Sequence, residues 1–221
     1  MNSDAPGPAP GRTGLATGGV EFDAVLLAGG RASRVGGDDK TAFTAGGATL
    51  LDRAVEAAAG ARAVVVVGLR DGRDAPLGVA LACEEPRWAG PVAALAAGLG
   101  AVADPSPWTL VLACDLPRAP EAVRALLEGG PRTWGEDDGT VAVDGTGRRQ
   151  PLLAFYRTDA LARRLDDLRG EGPLTDLSLR RVLAGLTLAE ASVADELCAD
   201  VDSPADLARL GVERPTTRSA G

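Results

Sequence analysis

A chain of 221 residues, 45% hydrophobic but only 3% aromatic, can bury one sizeable core made mostly of Ala, Val and Leu. Its net charge of -8 excludes a sequence-independent nucleic-acid binder, which needs a basic surface, so no nucleic-acid partner is expected. The absence of histidine excludes Ser-His-Asp and Cys-His catalysis, imidazole acid–base chemistry and His-based zinc sites.

In chain order, residues 1–19 carry Pro6, Pro8, Pro10 and repeated glycines, with neither a basic start nor an apolar stretch. They read as a disordered tail and not as a secretory signal. Phe22–Ala28 is an apolar run ending at glycines, a buried strand. Thr49–Ala59 has apolar residues at helical spacing, and Ala63–Val67 and Val79–Cys83 read as strands. Val92–Val102 is a helix entered through Gly90-Pro91, with proline at an allowed first-turn position. Trp108–Cys114 is a strand and Glu121–Glu128 a helix. Beyond residue 130, Gly139–Val143 and Pro151–Tyr156 read as strands flanking the turn Asp144-Gly145-Thr146-Gly147. Asp159–Leu168 and Leu177–Ala184 read as helices, and Leu186–Ala191 and Leu197–Val201 as strands. Ser203 caps a last helix with Pro204 at its first position.

Strand–helix alternation predicts an α/β fold: a three-layer, Rossmann-like, mostly parallel sheet with helices on both faces and a small antiparallel extension. A single domain over 20–212 is expected, with 213–221 a second disordered tail. No apolar stretch is long enough for a membrane span, so no membrane partner is expected. Cys83, Cys114 and Cys198 lie within or beside apolar runs and read as buried free thiols, which suits a cytoplasmic location.

Lys40 is the chain's single lysine; every other basic side chain is arginine. It follows the strand Phe22–Ala28 and a glycine-rich loop containing Gly29, Gly30, Arg34, Gly36 and Gly37. Ligands of an open α/β sheet bind beyond the carboxyl ends of its strands. Glycines there let backbone N–H groups approach an anion, and Arg34 and Lys40 add positive charge. The loop is neither a Walker A motif nor a G-x-G-x-x-G fingerprint. Asp115 ends a second apolar strand in the same zone. Alone it would be a turn cap; beside a phosphate loop it reads as a metal ligand, since Mg²⁺ is held by one or two carboxylates plus substrate phosphates. Asp200 or Asp202 could add a second carboxylate, and for Asp202 a role in the turn before the last helix is an equal reading. Arg148 and Arg149 read as a solvated loop, and Trp88 as core packing, each in preference to lining an acceptor pocket. Arg163, Arg164, Arg180 and Arg181 read as helix surface.

The stretch from Leu27-Ala-Gly-Gly through Arg34 to Gly36-Gly-Asp-Asp-Lys40 resembles the signature of the molybdenum-cofactor guanylyltransferases, within the GT-A-like nucleotidyltransferases. Gly90-Pro91, Cys114-Asp115-Leu-Pro, Asp144-Gly145 with Gln150-Pro-Leu, and Asp202-Ser-Pro-Ala-Asp-Leu resemble further family motifs, in order, over about Glu21 to Leu210. Ala94 stands where the family has a second glycine after Gly-Pro, and Asp202 where close relatives often have Asn.

The resemblance implies that Leu27, Ala28, Gly29 and Gly30 contact the nucleotide, Lys40 its phosphates, and Asp115 both nucleotide and Mg²⁺ (or Mn²⁺). Gly68 falls where some members have an Asn contacting the nucleotide, and Glu85 where the family has an Asp near it. Catalysis would rest on Arg34, Lys40 and Asp115, with metal on Asp115 and Asp202. The implied reaction moves GMP from GTP onto the terminal phosphate of molybdopterin (molybdenum cofactor) and releases pyrophosphate. Attacking and leaving groups are both ionised, so the missing histidine is no obstacle. Transient contact with cofactor-delivery or molybdoenzyme proteins is also implied. CTP, a phospholactate or sugar-phosphate acceptor, or a non-catalytic nucleotide-binding module are the alternatives.

Overall fold

The computed structural model describes residues 20–29, 34–35, 38–70, 75–129 and 137–215. The two segments read as tails lie mainly outside this range. Strand β1 (Phe22–Leu27) leads to the two-residue strands β2 (Arg34–Val35) and β3 (Asp38–Asp39), a 3₁₀ turn (Lys40–Ala42), β4 (Thr44–Ala45) and β5 (Ala48–Thr49). Helix α1 (Leu50–Ala57) follows, then β6 (Val64–Val67), β7 (Ala80–Ala82), α2 (Pro91–Gly100), β8 (Trp108–Ala113) and α3 (Ala119–Gly129). The second half contributes β9 (Gly139–Val143), β10 (Arg149–Arg157), α4 (Thr158–Glu171) and α5 (Leu179–Leu183). It ends with β11 (Leu188–Ser192), α6 (Asp195–Cys198), α7 (Pro204–Leu210) and β12 (Val212–Glu213).

Seven strands form one sheet in the order β11-β9-β10-β8-β1-β6-β7. Every neighbouring pair is parallel except the two made by β10. Central strands of such a sheet are covered on both faces, which is why β1 is apolar and buried along its length, Asp23 included. Side chains then sort by the two-residue period of a strand. Ala24 and Leu26 join Leu110, Leu112, Val64 and Val66 against α1 and α3. Val25 and Leu27 join Val111, Val65 and Val67 against α2, α4 and α5. A Cβ on Gly98 would lie 2.4 Å from Val25 Cγ1, so glycine there lets α2 sit directly on the sheet. This is the three-layer α/β architecture, with β10 as its antiparallel element.

A third, small core joins the ends of the chain. Phe43, Ala45 and Leu50 pack with Val201 and Val212, helped by Leu207 and Leu210. The strand expected at Leu197–Val201 is absent: α6 covers its start, and Val201 is an isolated anchor. Its side chain fills this third core and its N–H donates to the Asp115 carbonyl at 3.2 Å, so the apolar run serves docking and builds no ladder. Strand β12 pairs with β4 and carries Glu213, one residue into the expected tail. Of the thiols read as buried, Cys114 is, Cys198 is partly, and Cys83 is exposed because β7 forms the edge of the sheet.

Candidate active site

Parallel pairing of β1 with β8 sets Leu27 opposite Ala113, so Ala28-Gly29 and Cys114-Asp115 leave the sheet side by side. Two hydrogen bonds continue the ladder past the strand ends: Cys114 N–H donates to the Leu27 carbonyl at 3.0 Å, and Ala28 N–H to the Val67 carbonyl at 2.9 Å. Gly68, ending β6, has φ +78° and packs against Gly29. A Cβ on Gly68 would lie 2.8 Å from Gly29 Cα, so neither turn has room for a side chain.

These strand ends floor a cavity of about 550 Å³. Leu27, Ala28, Gly29, Lys40 and Asp115 all line it. Asp39 caps the 3₁₀ turn that carries Lys40, accepting from Thr41 N–H at 3.0 Å and Thr41 Oγ1 at 2.7 Å. Lys40 is 1% exposed, and its Nζ donates to Asp202 Oδ1 at 2.7 Å and Asp115 Oδ2 at 3.3 Å. Asp202 stands just before α7, where Ser203 and Asp206 make a reciprocal capping box. Asp206 also accepts the Asp202 N–H at 3.3 Å.

Asp115, Asp200 and Asp202 each bring a carboxylate oxygen to within 4.8 Å of the others. Burial opposes the charge of Lys40, but the bond to Asp202 and the field of Asp115 outweigh it and hold the ammonium above its usual pKa. Burial raises the pKa of Asp115; Lys40 offsets this only partly, and Asp200 and Asp202 add to the rise. Burial and then Asp202 raise Asp200. Three carboxylates facing one ammonium leave two negative charges uncompensated. An all-oxygen, carboxylate-rich set suits a hard divalent cation such as Mg²⁺. Burial pushes the Cys114 thiol well up and Cys198 to about 11, so neither cavity-lining thiol is a thiolate at neutral pH.

Other expected site residues fall differently. Gly30 lies outside the described residues; for Arg34 only the backbone strand is described. Glu85 is exposed and does not line the cavity; Glu84, 5% exposed, does. Burial alternates from Ala82 onward, so Cys83 and Glu85 fall on the open side and Glu84 inward. Trp88, read as core packing, and Arg148, read as a solvated loop, both line the cavity, which is the less favoured reading of each. Residues 150–153 form a further wall, because β10 slips register between Gln150 and Ala154. A bulge is where a strand tolerates proline, here Pro151, whose carbonyl accepts from Tyr156 Oη at 2.9 Å. Asp144 organises the adjoining turn, accepting from Thr146 N–H and Arg148 N–H at 3.0 Å each. Asp176 also lines the cavity and carried no sequence signal. Among the described residues no helix is long and apolar enough to cross a membrane.

Comparison with known proteins agrees with this fold. A family model described as a MobA-like NTP transferase domain matches residues 24–191. A protein of Mycobacterium ulcerans named probable molybdenum cofactor guanylyltransferase is 34% identical over 156 residues, 69% of this chain and 76% of its own length. Among solved structures, molybdopterin-guanine dinucleotide biosynthesis protein A from Archaeoglobus fulgidus superposes with a TM-score of 0.61 at 21% identity, over 86% of this chain and 96% of that one. The 2-C-methyl-D-erythritol 4-phosphate cytidylyltransferase from Thermus thermophilus superposes with a TM-score of 0.60 at 21% identity, over 86% and 97%. At these identities the two structures establish the fold alone.

Proposed function

The chain belongs to the MobA-like NTP transferase family, and from that premise we propose that it transfers GMP from GTP to the terminal phosphate of molybdopterin or its molybdenum-bound form. Nucleotidyl transfer is the family's reaction; the guanine and the acceptor are the proposal. The observation that carries it is the meeting of Lys40 with Asp115 and Asp202 beside the glycine-lined strand ends.

In nucleotidyl transfer a phosphate oxygen of the acceptor attacks the α-phosphorus of the triphosphate, and pyrophosphate leaves with the bonding electrons. The attacking oxygen is already ionised and pyrophosphate departs as a stable anion, so the protein needs to align anions and stabilise charge, not abstract a proton. Ala28 and Gly29 bring backbone close to the nucleotide, since Gly29 has no side chain and Gly68 beneath it leaves no obstruction. Lys40 supplies a compact, buried positive charge that separates Asp115 from Asp202 and is offered to the phosphates. Asp115, Asp200 and Asp202 would hold Mg²⁺ or Mn²⁺. Bound there, the ion would neutralise phosphate charge as it builds on the leaving group. Gly30 and Arg34 complete the phosphate loop in this reading. Arg148, on the far wall, offers charge to the acceptor's phosphate.

The test is pyrophosphate release by the purified chain with Mg²⁺, molybdopterin and each of GTP, CTP, ATP and UTP. Release with GTP, with a guanine dinucleotide product, is expected. Release with CTP alone keeps the chemistry and moves the base. Nucleotide binding without release in any mixture, with intact acceptor, would overturn the assignment.

A further inference from the structure

Among the described residues two non-glycine residues take a left-handed backbone: Trp88 at φ 67° and Asp176 at φ 57°. They come from loops far apart in the chain, yet both line the same cavity. Their conformations are pinned. Trp88 N–H donates to Glu84 Oε1 at 3.1 Å, and Asp176 N–H donates to the Ala89 carbonyl at 2.8 Å. A Cβ on Gly90 would lie 3.5 Å from the Asp176 nitrogen, so the two loops touch backbone to backbone. Left-handed backbone is unfavourable for a bulky residue and persists only where the surroundings over-determine it, and such residues concentrate at ligand sites. What these bonds hold on one stretch of cavity wall is a half-buried indole and an exposed carboxylate.

Their chemistry is specific. An aromatic face stacks on a flat ring. An ionised carboxylate only accepts hydrogen bonds and can take two parallel N–H groups at once. Glu84, the other acid of this wall, is buried with one oxygen committed to Trp88, so Asp176 is the carboxylate open to a ligand. We infer that Trp88 and Asp176 form a recognition site for a flat heterocycle presenting adjacent ring N–H and amino donors, the 2-amino-4-oxopyrimidine edge. Guanine and pterins share that edge; adenine, cytosine and uracil do not offer two adjacent donors. The choice of these two rings rests on the proposed function. The pair itself is a specificity determinant and takes no part in bond making.

Asp176→Gly removes the carboxylate while suiting the left-handed backbone, so the variant is expected to melt no lower than the parent chain. The full chain and this variant are titrated by calorimetry with GTP and with ITP, which lacks the amino group, in Mg²⁺. They are then titrated with free pterin and with lumazine, its 2-oxo analogue. The parent is expected to favour the amino-bearing member of at least one pair by about 10–100-fold, and Asp176→Gly to bring that ratio near one. Collapse of the GTP/ITP ratio assigns the site to guanine; collapse of the pterin/lumazine ratio assigns it to the acceptor. Trp88→Leu should weaken both members of the same pair alike. Ratios in Asp176→Gly equal to the parent's would overturn the site. Binding is read without turnover, so a chain that discriminates but releases no pyrophosphate would fail the transfer reading and leave this one standing.

Discussion

Asp115 and Asp202 both reach Lys40, but they are held by opposite constructions. Asp115 follows a strand buried between two neighbours, and its place is set by ladder hydrogen bonds that do not depend on side chains. Asp202 precedes a seven-residue helix whose position depends on a capping box and a small core around Phe43, Val201 and Val212. The side chain of Asp115 is 26% exposed and that of Asp202 is 65% exposed. The strand-end side is thus a floor fixed by the sheet and only partly exposed, while the C-terminal side is a lightly packed, more exposed clamp. The difference assigns them tasks: the floor holds charge that must not move, and the clamp adds a carboxylate where substrates must enter and leave.

The largest expected effect is on the floor. Asp115→Ala should cut the rate of pyrophosphate release by at least about 10²–10³, or about 3–4 kcal/mol of transition-state stabilisation. The melting temperature should hold, because the loss removes one carboxylate from a crowded set of three. Asp202→Ala should cost less. Equal losses in steady-state assays would erase the distinction between floor and clamp.

The second effect tests whether backbone closeness, and not side-chain chemistry, makes the floor. Gly68→Ala places a Cβ 2.8 Å from Gly29 Cα at a residue with φ +78°. A destabilisation of about 1–3 kcal/mol is expected, read by denaturant melts, together with weaker GTP binding. A variant as stable as the parent would mean that the strand ends yield easily.

How much of this was legible follows from the same contrast. The floor could be read from the chain because it is local: an apolar run, then glycines or an Asp, at the carboxyl end of a strand. Lys40 stood out as the single lysine among arginines. The clamp and far wall are tertiary. Leu197–Val201 looked like a strand because Leu197, Cys198 and Val201 are apolar, yet Val201 anchors a separate core that needs Phe43 from the other end of the chain. Trp88 looked like core because most tryptophans are. Only the fold shows that its backbone turns left-handed to line the cavity beside Asp176. Glu84 and Glu85 are neighbours in the sequence, and only the fold shows that Glu84 turns into the cavity while Glu85 stays outside.

Lys40 joins floor to clamp, and its replacement by Arg sharpens the comparison. A guanidinium keeps the charge but is a flat, forked group in place of a compact one, in a position 1% exposed between two carboxylates. Lys40→Arg should lower the rate by about tenfold to thirtyfold, or about 1.4–2 kcal/mol. Near-parental turnover would mean that the clamp gives way to fit the larger group.

The smallest effect isolates the clamp alone. Ser203 accepts the Asp206 N–H, and Asp206 in turn accepts from Ser203 N–H at 2.9 Å, so Ser203→Ala opens half of the box that sets α7. A cap of this kind contributes about 1 kcal/mol, enough to loosen the helix without unfolding a domain whose two larger cores lie elsewhere. If the clamp positions Asp202 and little else, the variant should need several-fold more Mg²⁺ for half-maximal rate, with the saturated rate changed less than about twofold. GTP affinity at saturating Mg²⁺ should stay at the parental value, since none of the residues proposed to meet the nucleotide lies on α7. A fall in saturated rate as large as that of Asp115→Ala would show that floor and clamp act as one rigid unit.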